Sequence, residues 1–366
     1  MRIMLVTDAW RPQMNGVVRT LERIIKECRE LGHELEIISP EGFKTFPLPT
    51  YSEIRLAVGA KSAIEDRFES FEPEAVHIAT EGTLGMAARS VCLKHKFPYT
   101  TSYHTRFPEY VSARFPVPLS AGYAFMRWFH KYSGRVMVST QSMRDELGDR
   151  GFNNVAKWSR GVDIEVFHPD KRGVDGGVYK GLPKPIFLNV GRISVEKNIE
   201  AFLKLDLPGT KVIVGDGPQT EELKAAYPDA VFTGAKFGEE LSQHFADADV
   251  FVFPSKTDTF GLVILEAMAC GTPVAGLDVP GPRDIIPGSN AGVSSDDLQS
   301  AAMECLRLSR GDARAYAETF SWRASAEEFV ANLEPLPTPE RKRFWQRIRS
   351  IRLRRRKKPI GSNAAE

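Results

Sequence analysis

Four cysteines, Cys28, Cys92, Cys270 and Cys305, are all that this 366-residue chain contains, and no two of them form a C-x-x-C pair. That scarcity excludes a disulfide-stapled scaffold, argues against a cysteine-based metal or redox centre, and fits a reducing cytoplasm. Long apolar runs are missing as well: no stretch reaches the ~18 uninterrupted apolar residues of a membrane-spanning helix. The opening Met1-Arg-Ile-Met-Leu-Val-Thr-Asp8 is closed by Asp8 before it resembles a signal sequence. Any membrane association is therefore expected to be peripheral. Excess charge of one sign is also absent, with a formal net charge of +2.

That near-neutral total conceals a division. Between Arg341 and Lys358, 11 of 18 residues are Lys or Arg and none is acidic, leaving 38 basic against 47 acidic residues elsewhere, a net −9. An acidic body with a basic strip is not a uniformly basic nucleic-acid binder. With 42% hydrophobic and 26% charged residues the chain is not disordered. Its length suggests about two domains.

Short apolar runs alternate with segments of helical period. Ile3–Val6, Leu35–Ile38, Ala75–Ile78, Tyr99–Ser102 and Val136–Val138 read as buried strands, with helices near Lys61–Ser70, Leu84–Lys94 and Met143–Gly148. Val17, Leu21, Ile24, Ile25, Cys28 and Leu31 mark one helix face. The pattern pauses at His168–Pro185 and restarts at Ile186–Val190, followed by Val212–Val214, Val231–Thr233, Val250–Phe253 and Pro273–Gly276. The expectation is an α/β protein with two parallel sheets: residues 1–170, residues 176–333, and a basic tail over 340–366. The last ordered segment is expected at Trp322–Leu333, with Pro335–Pro339 as a stop. In such sheets ligands bind in the loops at the carboxyl ends of the strands.

The most informative loop follows Val250–Phe253. It holds Asp258 and opens a helix near Gly261, and Glu266 is the one charged residue in the apolar run Leu262–Cys270. A carboxylate in such a run needs a partner. A ribose with two vicinal hydroxyls would suit it, while backbone N–H groups at Phe260, Gly261 and Leu262 would face an anion such as a diphosphate. The alternatives are that Asp258 caps the helix and that Glu266 pairs with a structural Arg. Arg192, at the end of Ile186–Val190, and Lys197, at the next helix start, form a cation pair suited to a diphosphate, or else lie on the surface. The nine-residue loop Asp8–Gly16 is long for a strand-to-helix turn, and Gly16 would let backbone approach a phosphate, or form a plain Asn-Gly turn. It is not a G-x-G-x-x-G fingerprint, so a nicotinamide-type cofactor is unsupported. Asp247-Ala-Asp249 matches D-x-D, but Asp249 directly precedes a strand and is expected to cap or bound the preceding helix.

Asp258-x7-Glu266 followed by Ala-Met-Ala-Cys-Gly-Thr-Pro-Val resembles the E-x7-E motif of retaining glycosyltransferases with the GT-B fold, with Asp in place of the first Glu. The resemblance runs roughly from Met1 to Leu333. It includes Asn15-Gly16-Val17, Arg160-Gly-Val-Asp163 with Phe167-His-Pro169, and Gly191-Arg192 with Glu196-Lys197. It is nearest in look to GDP-mannose-dependent α-mannosyltransferases and to diacylglycerol or sulfolipid glycosyltransferases. It implies two Rossmann-like domains facing a cleft, a nucleotide-sugar donor held mainly by the second, and transfer without a metal. Arg192 and Lys197 would contact the donor diphosphate, Glu266 the ribose and Asp258 the sugar hydroxyls. Gly16 and His104 would close over the donor from the first domain, His104 lying beside the reacting carbon. Glu81 would help place the acceptor.

In the tail, Phe344, Ile348 and Ile351 fall at i, i+4 and i+7 with Trp345 adjacent, a narrow apolar stripe among cations. As a helix it would suit an anionic bilayer surface; a solvated tail and a nucleic-acid arm are the alternatives. The expected activity is a hexosyltransferase moving sugar from a UDP- or GDP-linked donor to a membrane lipid such as diacylglycerol, at the inner face of the cell membrane, with no metal and no nucleic-acid partner. An α-mannosyltransferase acting on a glycan or soluble acceptor, or a non-catalytic nucleotide-sugar-binding module, is the alternative.

Overall fold

The computed structural model describes residues 1–13, 15–48, 51–112 and 115–356. Its strands are β1 (Arg2–Val6), β2 (Glu34–Ile38), β3 (Thr45–Leu48), β4 (Tyr51–Ala57), β5 (Ala75–Ile78), β6 (Thr100–Ser102), β7 (Val136–Val138), β8 (Val155–Lys157), β9 (Ile186–Val190), β10 (Thr210–Val214), β11 (Val231–Phe232), β12 (Val250–Phe253), β13 (Val274–Gly276) and β14 (Gly292–Ser294). One six-stranded sheet has the order β2-β1-β5-β6-β7-β8 and a second the order β11-β10-β9-β12-β13-β14. β1 pairs in parallel with both β2 and β5, and β9 with both β10 and β12. The expected α/β architecture with two parallel sheets is present.

Both sheets are doubly wound, and each has a point where successive strands step off in opposite directions. In the first sheet it lies at β1, between β2 and β5; in the second at β9, between β10 and β12. Loops leaving the carboxyl ends of strands at such a point emerge side by side. The central strands are buried throughout, apart from Arg2 at the start of β1, because helices cover both faces. The antiparallel hairpin β3–β4 and the short edge strands β8 and β14 were not expected from sequence.

Contacts group Met1–Tyr103, Trp128–Met137 and Val330–Glu366 into one compact unit, and His104–Arg127 with Val138–Phe329 into another. The core of the first unit centres on Val6, Ile78, Phe68, Phe97 and Phe129; those of the second lie on the two faces of the β9–β12 sheet. The pause at 168–185 forms two 3-10 turns, Pro169–Lys171 and Val174–Tyr179. Asp247 fastens this segment, its carboxylate accepting from Gly173 N at 2.6 Å and Val178 N at 2.9 Å. A Cβ at Gly177 would lie 2.0 Å from that carboxylate, so only glycine fits. Asp249 does not cap the preceding helix: it accepts from Ile186 N at 2.7 Å, fixing the start of β9. Both acids of the D-x-D match therefore serve backbone.

The chain's order does not stop at Leu333. A helix spans Thr338–Arg356, and its residues Phe344, Trp345 and Ile348 turn inward. Trp345 is 4% exposed, its ring 5.0 Å from that of Phe68, and Ile348 is equally buried. Phe344 stands perpendicular to Trp345 at 4.8 Å and 5.2 Å from Phe97. Arg349 pairs with Glu72 and Arg341 with Glu74. The stripe expected to meet a bilayer is thus spent on the protein's own core, because burying a Trp and an Ile against Phe68 and Phe97 removes far more apolar surface from water than a solvated tail would. The side chain of Ile351, and residues 357–366, lie outside the described residues. Lys342, Arg343 and Arg347 remain exposed on the outer side of this helix.

Candidate active site

The switch point of the second sheet brings two loops together, one after β9 and one after β12. The β9 loop turns through the 3-10 segment Val195–Lys197 and a left-handed Asn198, whose side-chain amide donates to Pro254 O at 3.0 Å. Thr257 Oγ1 donates to Glu196 O at 3.2 Å, so the β12 and β9 loops dock through side chains that donate to each other's backbone carbonyls. The docking sets Lys197 Nζ 2.6 Å from Asp258 Oδ1. Burial pulls the Lys197 ammonium down, but the facing Asp258, Tyr110 and Glu196 outweigh it and hold the group above its ordinary value. Tyr110, from the helix Phe107–Ser112, lies beside the pair. Its phenol is pushed up by burial and then by the charge of Asp258.

Arg192 follows Gly191 at the end of β9, where Gly191 N donates to Val214 O at 3.0 Å and Ile193 N to Asp216 O at 3.0 Å. This lacing continues the sheet beyond the strands, and it demands glycine at 215. That residue sits at φ 154, and a Cβ there would lie 1.8 Å from Gly191 O.

Across the β12 loop, Thr259 Oγ1 donates to His104 O at 2.7 Å and Ser139 Oγ donates to Thr259 O at 2.7 Å. His104 belongs by its contacts to the second unit, not the first as its sequence position suggested. Its ring lies 5.6 Å from that of Trp158, and Arg160 Nη2 stands 3.3 Å from its Nδ1. The helix Leu262–Ala269 begins at Gly261, a left-handed N-cap at φ 88. Phe260 is buried in the core, so only its backbone is offered to a ligand, along with that of Gly261 and Leu262. Glu266 is 6% exposed, one turn into this helix. Lys197, Asp258 and His104 are joined by direct contacts through one loop, and Arg192 and Glu266 rise from the same two strand ends.

In the first unit, Asn15 caps the helix Gly16–Glu30, its Oδ1 accepting from Val17 N and Val18 N at 3.0 and 3.1 Å. Gly16 is the first helical residue and is exposed. Asp8 caps a different helix, accepting from Leu84 N at 2.8 Å and Gly85 N at 3.2 Å. Burial raises its carboxyl above the ordinary range against those hydrogen bonds. Glu81 stands 3.3 Å from Nε2 of the buried His130. Arg160, Trp158 and Tyr110 had no role assigned from sequence. The Arg160-Gly-Val-Asp163 motif was the only signal for Arg160, and nothing local marks Tyr110.

A family model described as Glycosyl transferases group 1 matches residues 184–310, and one described as Glycosyltransferase Family 4 matches residues 14–166. The chain is 31% identical over 314 residues to a GDP-mannose-dependent alpha-mannosyltransferase of Mycobacterium tuberculosis, covering 80% of this chain and 83% of that protein. It is 26% identical over 349 residues to an alpha-monoglucosyldiacylglycerol synthase of Streptococcus pneumoniae, covering 84% and 78%. Sucrose-phosphate synthase from Thermosynechococcus elongatus shares the fold, with a TM-score of 0.72 at 19% identity over 90% of this chain and 97% of that one.

Proposed function

This chain belongs to the GT-B glycosyltransferases of group 1 and family 4, and on that premise we propose that it moves a hexose, with retention, from a UDP- or GDP-linked donor to a membrane lipid such as diacylglycerol. The observation that carries the reading is the Lys197–Asp258 pair at the switch point. Lys197 has three N–H donors and uses one on Asp258, so the ammonium can bond a diphosphate while Asp258 accepts from a sugar hydroxyl. Arg192 adds the second cation on the diphosphate. Backbone N–H groups at Phe260, Gly261 and Leu262 face the same anion, and Glu266 accepts from the ribose. Gly16 offers exposed backbone at a helix start to a phosphate in the same way.

Transfer breaks the bond from the anomeric carbon to the diphosphate oxygen. Lys197 and Arg192 take up the charge that develops on the leaving group, and the sugar gains oxocarbenium character. The acceptor oxygen bonds the same face of that carbon and gives its proton to the departing phosphate oxygen. His104 lies beside the sugar. Preorganised cations and helix dipoles carry the electrostatic load, so no metal is required.

Two observations favour a lipid acceptor at an anionic surface: the glycolipid product for which the pneumococcal relative is named, and the exposed cations Lys342, Arg343 and Arg347 on a docked helix. The mycobacterial relative's name supports GDP-mannose as the donor and leaves room for a second reading, transfer of mannose to a glycan or soluble acceptor. The test is a thermal-shift screen of UDP, GDP and their hexose conjugates, followed by transfer to diacylglycerol in mixed micelles with the product's anomeric configuration read by NMR. Stabilisation by one nucleotide family and an α-configured glycolipid from an α-linked donor are expected. An inverted product overturns retention, and sugar transferred only to soluble acceptors overturns the lipid assignment.

A further inference from the structure

We infer that Arg160 sets the tautomer of His104, holding the imidazole neutral with its proton on Nε2. Arg160 is 4% exposed, a depth at which a guanidinium must have its N–H groups met. Nη1 donates to Trp158 O at 2.6 Å and to Ser159 O at 2.9 Å, and the guanidinium carbon lies 4.2 Å from the centre of the Trp158 ring. Nη2 stands 3.3 Å from His104 Nδ1. Arginine has five donors and no acceptor, so in this contact Nδ1 accepts and carries no proton. A proton added to Nδ1 would set N–H against N–H and cation against cation in a buried site.

The His104 ring has little freedom to escape this contact. The indole of Trp158 lies beside it and Thr259 holds its carbonyl. Further charged groups lie on the segments that carry its contacts, Trp158–Arg160 on one side and the Thr259 loop on the other. Glu328 stands behind Arg160, where it accepts from Ser159 N at 2.7 Å. Asp258, Lys197 and Tyr110 belong to the loop side, with Asp258 engaged by Lys197. Arg106, two residues along, pairs with Glu146. Glu328, Glu146 and Asp258 thus each already hold a partner, and the guanidinium is set directly on the imidazole. Burial lowers Arg160 to about 9, so it stays a cation throughout the range where an ordinary histidine titrates.

The consequence for the reaction rests on the proposed glycosyl-transfer reading. His104 acts as an N–H donor, from Nε2, to an oxygen of the donor sugar or phosphate, and not as a proton acceptor. Its contribution is independent of pH across 5.5 to 8. Arg160 is then a positioning residue, acting through His104.

The test has two arms. In the first, 15N–1H correlation spectra of the intact protein, with His104 assigned by its absence in His104→Gln, are followed from pH 5.5 to 8. A bare Nδ1 and a protonated Nε2 throughout are expected; a proton on Nδ1, or titration near pH 6.5, overturns the inference. This arm needs no Arg160 variant to fold and no substrate. In the second, GDP-mannose turnover is measured against pH for wild type, Arg160→Gln and Arg160→Lys. With Gln at 160 the cation facing Nδ1 is gone and His104 can take up a proton there, so turnover falls more steeply towards pH 5.5 than in wild type. Lysine, still a cationic donor, restores the flat profile. Superimposable profiles for wild type and Arg160→Gln overturn the inference. The expected spectra with no turnover of any nucleotide sugar would sink the glycosyl-transfer reading and leave the tautomer supported.

Discussion

Replacing Trp345 with Ala tests whether the basic C-terminal helix is part of the folded body. Truncating a buried Trp to Ala costs about 3–5 kcal/mol when the site cannot collapse, and the rings of Phe68, Phe97 and Phe344 within 6.0 Å leave little room for collapse. Against that, the indole N–H is buried with no hydrogen-bond partner, a fault worth about 1–3 kcal/mol that the substitution removes. The two effects together give a loss of about 2 kcal/mol at the centre of both ranges. Trp345→Phe keeps most of the ring contact and also removes the orphaned N–H, so it should fall within about 1 kcal/mol of wild type. Urea unfolding followed by far-UV circular dichroism measures both. An Ala variant as stable as wild type would show that the helix is not docked. A Phe variant as damaged as the Ala one would show that the N–H is satisfied and the reasoning wrong.

Lys197→Ala and Glu266→Ala should each weaken GDP or UDP binding by about tenfold or more, since each removes a charged hydrogen-bonding group worth about 1.5–3 kcal/mol; calorimetric affinities equal to wild type would refute the donor assignment. Reversing charge at three exposed cations, Lys342→Glu, Arg343→Glu and Arg347→Glu, should cut co-sedimentation with phosphatidylglycerol vesicles at low salt while leaving the unfolding free energy in urea within about 0.5 kcal/mol of wild type, and an unchanged pellet fraction would end the membrane reading. EDTA should leave turnover intact; its loss, restored by a divalent cation, would contradict metal-free transfer. Gly215→Ala should destabilise the protein and lower turnover, because its Cβ would collide with Gly191 O beside Arg192, and a variant of full stability and activity would contradict the lacing of the two loops.

Period and run length made the central strands legible, because β1, β5, β9 and β12 are buried on both faces and are mostly apolar, with Arg2, His77 and Asn189 their only polar residues. The hairpin β3–β4 was not, since Phe46-Pro47-Leu48 lacks strict alternation and its register is irregular at Pro47. Nor was the destination of the C-terminal stripe. Spacing shows that Phe344, Trp345 and Ile348 share a helix face, but a bilayer and a protein core present the same apolar chemistry to it. Choosing between them requires knowing that Phe68 and Phe97 are waiting, some 250 residues earlier in the chain. At the site, Lys197 and Asp258 were each marked as polar residues after a strand. Their ion pair depends on β9 and β12 being neighbours, a fact of sheet order that neither segment encodes alone. Tyr110 enters from a separate short helix and leaves no local trace.

The inward-turned helix also bears on how the polypeptide is assembled. Residues from 330 onward complete a core begun at residue 1, while nearly the whole second unit is inserted in between. During synthesis, Phe68 and Phe97 therefore remain without their final cover until Trp345 and Ile348 emerge, although the second unit can already have collapsed. The first half of the chain expressed alone would carry an open aromatic face and be prone to self-association. The last helix is in effect the closing stitch of the first unit, and a basic segment expected to follow the last ordered one is one the amino-terminal core cannot lose without exposing its aromatics.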